Sequence, residues 1–181
     1  LALGSRAQNL ERLNASHLKS LEELSGFPGL KALEMEDCRD IADISALAQV
    51  KDLERLKLCD MDEVNDFTVL NVLKKLKSLT IDAENLKDIS FINHMPELAH
   101  LEITDSRILL LDPLLGKESL KELALVDNSE VRDYAPVGTL AGLETLVLNK
   151  YTSQDDPDLT ALAGLKHGEF HGMMGIRFLG S

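Results

Sequence analysis

The sequence contains no tryptophan, only two cysteines, 4% aromatic residues and no apolar run near the roughly 18 residues that suggest a membrane-spanning helix. Two cysteines, Cys38 and Cys59, cannot build a disulfide framework, and free thiols fit a reducing compartment. The opening residues LALGSRAQN lack the basic start and apolar stretch of a secretory signal, so the expected location is cytoplasmic. A start at Leu1 rather than Met also fits a piece of a longer protein. Positive charge is scarce as well: 19 Lys and Arg against 31 Asp and Glu give a net charge of -12. Such a balance disfavours nucleic acid and anionic membrane as partners and leaves a basic or neutral protein. Signatures of catalysis are also missing. There is no glycine-rich phosphate loop, no CxxC pair and no serine, cysteine or lysine in a recognisable nucleophile setting, so neither an enzyme nor a cofactor is expected.

What the chain has instead is aliphatic residues in a repeating pattern. Hydrophobic residues make up 44% of it and charged residues 28%, the balance of a globular protein with a core of leucine, isoleucine and valine. The pattern L-x-x-L-x-L starts at Leu10, Leu30, Leu53, Leu76, Leu98, Leu120 and Leu143, with a degenerate eighth unit from Leu165, at spacings of 20, 23, 23, 22, 22, 23 and 22 residues. Solenoids built from helix pairs need periods of 33 or more, which leaves the short-period class.

Each unit has two blocks. The first reads LKALEM, LERLKL, LKSLTI, LAHLEI, LKELAL and LETLVL, with apolar and polar residues alternating as in a strand buried on one side. The second reads IADISAL, VNDFTVL, LKDISFI and VRDYAPV, in which Asp43, Asp66, Asp88 and Asp133, with Asp158 continuing the series, are placed to cap a short helical turn. In the first unit Ser20 takes that place, and Glu23 completes a capping-box pattern.

With both blocks in view, the sequence resembles the leucine-rich-repeat family, in the short-unit class typified by internalins, over roughly Leu10 to Leu162. The resemblance implies an α/β solenoid: a single domain over residues 1–181, with a concave parallel sheet and short helices or helical turns on the convex side. It also implies a protein-interaction module that binds through the concave sheet. One departure is the inward position after each strand, usually asparagine, which here falls on Cys38, Met61, Glu84, Ser106, Asn128 and Tyr151.

Alternation places three columns of outward side chains on the sheet. The first holds Arg12, Ala32, Arg55, Ser78, His100, Glu122 and Thr145, and the second Asn14, Glu34, Lys57, Thr80, Glu102, Ala124 and Val147. The third holds Ser16, Glu36, Cys59, Asp82, Thr104, Val126 and Asn149. The expected partner-binding set runs along them from Glu34, Glu36, Arg55 and Lys57 to Thr145, Val147 and Asn149. Ala124, Val126 and Val147 form a candidate apolar anchor within it. The bland alternative is a merely polar strand face carrying cross-strand ion pairs such as Glu34 with Lys57.

Beyond the strands, Asp37, Asp60, Asp105 and Asp127 recur in one position, with Asp82 beside a gap at Ala83. Aspartates at turns bond the local backbone more often than they hold a cation. His167, Glu169 and His171 alternate near the end, and they read as a degenerate last repeat rather than as metal ligands. The rival to a binding module is the substrate-recognition portion of a larger enzyme whose catalytic domain lies outside these residues.

Overall fold

The computed structural model of the protein describes residues 9–128, 130–149, 160–165 and 169–170. Among the described residues eight short strands form one parallel sheet in chain order: β1 (Arg12–Ser16), β2 (Ala32–Glu36), β3 (Arg55–Leu58), β4 (Ser78–Asp82), β5 (His100–Thr104), β6 (Glu122–Val126), β7 (Thr145–Asn149) and β8 (Glu169–Phe170). The connections carry 3-10 helices of three to five residues, such as Ser45–Gln49 and Asp112–Leu114. The register joins equivalent positions of successive units: Leu33 with Leu56, Leu56 with Leu79, and Leu79 with Leu101. Each unit therefore covers its neighbour's apolar side, and the core runs the length of the stack.

The turn side follows a different period from the strands. After β2 the buried residues Cys38, Ile41, Ile44, Leu47, Val50 and Leu53 come three apart. Ile41, Leu47, Val50 and Leu53 each donate their N–H to the carbonyl three residues earlier. Met61 to Leu76 and Ala83 to Leu98 repeat the arrangement. Bonds spanning three residues are those of a 3-10 helix, which stacks every third side chain on one line. The local hydrogen bonds satisfy the backbone while that line faces the core.

The cap aspartates make this possible. The Oδ1 atoms of Asp43, Asp66, Asp88 and Asp133 accept the N–H two residues ahead, at 2.7, 2.8, 2.8 and 2.8 Å. Ser20 Oγ accepts from Glu22 at 3.2 Å, so the expected capping box with Glu23 gives way to the same two-residue turn. Hydrogen bonds from Ser45 and Thr68 hold the Asp43 and Asp66 carboxyls below the usual carboxylate range. A depressed carboxyl stabilises the fold above its unfolded pKa of 3.8, and that contribution is lost as pH falls through the lower folded value.

Three further expectations are corrected. Ala32, assigned to the outward column, is fully buried. The inward position of the fourth unit belongs to Ala83, which is buried and accepts the Leu86 N–H, whereas Glu84 is exposed. The reason is backbone geometry: Asp37, Asp60, Asp105 and Asp127 have φ of 52, 57, 48 and 55 degrees, a left-handed turn that aspartate tolerates. The fourth unit omits that residue and turns one position sooner. In the last unit, the Leu165 N–H donates to Leu162 O at 3.0 Å as at the start of earlier units, but pairing resumes with Thr145 opposite Glu169. A strand counted from Leu165 would have put residue 167 there. Tyr151 and Asp158 lie outside the described residues.

Candidate interaction face

The parallel register assembles the outward side chains into rows. One row is Ser78, His100, Glu122 and Thr145; the next is Thr80, Glu102, Ala124 and Val147. A third joins Asp82, Thr104 and Val126, with the backbone of Asn149 next in register. The first two rows line a shallow groove of about 270 Å³ across β4 to β7. Within it His100 Nδ1 lies 3.0 Å from Glu122 Oε2, and Thr80 Oγ1 donates to Glu102 Oε2 at 3.3 Å. Ala124 and Val147 are the apolar members of these two outward rows. Val126 is half-buried one row away and does not line it.

The first half of the face differs in its electrostatics. Arg12 pairs with Glu34 at 3.1 Å and Lys57 with Glu36 at 2.5 Å, so the carboxylates expected to read a partner already have cations of their own. The anticipated Glu34 to Lys57 pair is replaced by these two, although Glu34 and Lys57 do face each other in register. Exposed pairs of this kind contribute little to stability. Arg55 stands exposed beside them.

Asp82, half-buried at the end of β4, is pushed up to about 6 by burial and then by the carboxylates of Asp105, Asp60, Asp62 and Glu102. Its folded pKa lies above the unfolded one, so it stabilises the fold less as pH rises between about 4 and 6, and its charge opposes folding above that. Asp82→Asn should raise stability at pH 7.5 by about 1 kcal/mol, solvent having screened part of the full effect. The gain should vanish near pH 4. Chemical melts at the two pH values decide this, and an equal change at both would remove Asp82 as the titrating group.

The thiols follow burial too. Cys38 is buried and donates to Glu36 O, while Cys59 is partly exposed, and both are free. Its place in the outward column would by itself favour ready alkylation of Cys59. Burial instead pushes its thiol up to about 11, so little thiolate is present at neutral pH. Alkylation of Cys59 at pH 7.5 should be slow and should accelerate when the pH is raised to 9, while Cys38 should be shielded by its burial. Rapid labelling of Cys59 at pH 7.5 would contradict this environment.

The turn of the fifth unit holds a surface that the repeat pattern did not single out. Leu110 occupies the place of the cap aspartates, and Leu109, Leu110 and Leu115 are 56%, 67% and 55% exposed. In the same unit Lys117 stands where other units have Val50, Leu73 and Met95, half-buried with Nζ donating to Met95 O at 2.9 Å. A break in the Asp column, read as an anomaly rather than as noise, was the available signal. Of the alternating set near the end, His167 and His171 lie outside the described residues, and only the backbone of Glu169 is described. Among the described residues no group of three or more histidines, cysteines or carboxylates has the geometry of a metal site.

No protein-family model matches the chain, and no curated protein matches its sequence. Solved structures do. An internalin C2 from Listeria monocytogenes superposes with a TM-score of 0.71 at 20% identity, over 92% of this chain and 82% of that one. An internalin (InlF) from the same organism gives 0.63 at 20% identity, over 91% of this chain and 56% of that one. The functional domain of InlJ from Listeria monocytogenes, described as including a cysteine ladder, gives 0.59 at 18%, over 82% and 34%. The parallel register, the unit length and these superpositions agree that the chain has the leucine-rich-repeat fold of the internalin-like, short-unit class.

Proposed function

We propose that the protein is a binding module without catalytic activity, which takes a protein partner on the concave face of its sheet. One observation carries the reading: the outward rows of β4 to β7 line a groove whose residues change from unit to unit, while the inward leucines beneath them repeat. Side chains that vary over a constant core are free to match a partner. Recognition through a polar rim around an apolar centre fits Ala124 and Val147 flanked by His100, Glu102 and Glu122. The two free cysteines support a reducing, cytoplasmic setting for this binding.

The test is affinity capture with the parent chain and variants in parallel, followed by titration of the captured partner. Val147→Arg should weaken binding at least tenfold, because it fills the groove with a bulky charge. Glu34→Arg should mainly alter association rate and salt dependence. Circular dichroism controls for folding. A second reading has its own support, the exposed leucines on the turn of the fifth unit, since contiguous apolar surface marks contact sites. Leu110→Asp restores the aspartate of the other units while removing the most exposed of the three leucines. If that variant loses the partner and Val147→Arg keeps it, the binding surface is the turn side.

A further inference from the structure

The outer face of the sheet is divided in charge. Toward its start, Glu34 and Glu36 are neutralised by Arg12 and Lys57. In the groove, Glu102 and Glu122 are exposed on adjacent strands, and among the described residues no lysine or arginine pairs with either. Their neighbours there are Thr80 and His100, at 3.3 and 3.0 Å. The register sets Ala124 beside Glu102 and Val147 beside Ala124, so carboxylates and an apolar wall share the same few strands.

A partner covering this surface removes water from both carboxylates, and that costs several kcal/mol per ion unless a donor replaces it. A cation on the partner meets the requirement best, given the net charge of -12 on the chain. Strands in a sheet are about 4.8 Å apart, which puts Glu102 on β5 roughly 10 Å from Val147 on β7. An extended segment crossing the strands returns side chains to one face every two residues in the β conformation, about 7 Å apart, or every three in polyproline II, about 9 Å apart.

We infer that the groove across β4 to β7 takes an extended protein segment bearing an arginine or lysine two or three residues from an aliphatic or aromatic side chain. The basic group lies against Glu102 and Glu122, and the apolar one against Ala124 and Val147. This rests on the concave-face reading and adds the chemistry of the ligand to it.

Selection of a random 12-residue peptide library displayed on phage, using the intact 181-residue chain as bait, tests the inference. The enriched pool should carry a basic residue spaced two or three positions from Leu, Ile or Phe. A synthetic peptide from it should bind at least tenfold more weakly to the Glu102→Gln, Glu122→Gln double variant and weaken further as salt rises. Both side chains are exposed, so the double variant should fold, as circular dichroism can verify. Peptides that lack a basic residue and ignore the double variant, yet are lost with Val147→Arg, overturn the assigned chemistry and leave the concave face standing. Peptides indifferent to Val147→Arg as well, or a selection that enriches nothing, overturn both.

Discussion

Leu79→Ala is expected to lower the stability of the protein by about 2 to 5 kcal/mol. Leu79 is 1% exposed in β4, with Leu56 of the preceding unit and Leu101 of the following one beside it in register. Removing its isobutyl group opens a cavity between three units whose side chains are already packed against each other. The neighbours cannot fill it without shifting strands that are tied by ladder hydrogen bonds on both sides. In a stack held together by contacts between adjacent units, such a cavity weakens two interfaces at once. Denaturant melts give the loss directly. A change below about 0.5 kcal/mol would show that the central leucine is not packed as the register places it.

Asn128→Ala is expected to cost about 3 kcal/mol by a different mechanism, the stranding of buried polar groups. Asn128 is 3% exposed, and its Nδ2 donates to Ile103 O at 2.8 Å and to Val126 O at 2.9 Å. Its Oδ1 accepts the hydroxyl of Ser106, which is equally buried. Truncation therefore leaves two main-chain carbonyls and a hydroxyl in the core without these partners. Ser106→Ala removes one donor and should cost about 1 kcal/mol. Because Ser106 loses its reason for a polar environment once Asn128 is gone, the double variant should fall short of the sum. Additive losses in urea melts would mean the two side chains act independently.

The inward position after each strand is apolar in the first units, at Cys38, Met61 and Ala83, and becomes polar at Ser106 and Asn128. An apolar residue there packs and asks nothing of the backbone. An asparagine ties the carbonyls of two strands together, which fixes the end of one unit against the next. The ladder of asparagines implied by the family resemblance is reduced in the described residues to this single Asn128 with its serine.

Much of this protein was legible in the sequence because its governing interactions are local. The spacing of 22 to 23 residues, the two-residue alternation of LERLKL and LKSLTI, and the recurrence of Asp43, Asp66 and Asp88 each report backbone geometry within a few residues of themselves. They determined the parallel strands, the inward leucines and the capped turns. Tertiary structure decided what depends on the neighbouring unit, some 22 residues away. Ala32 is buried although alternation points it outward, and Ala83 replaces Glu84 because one unit omits its left-handed residue. The raised pKa values of Asp82 and Cys59 arise from burial and from charges on adjacent strands and turns. The division of the sheet face into a self-neutralised half and a half with carboxylates beside apolar residues has the same origin: register chooses which side chains meet, and a single sequence does not carry those distances.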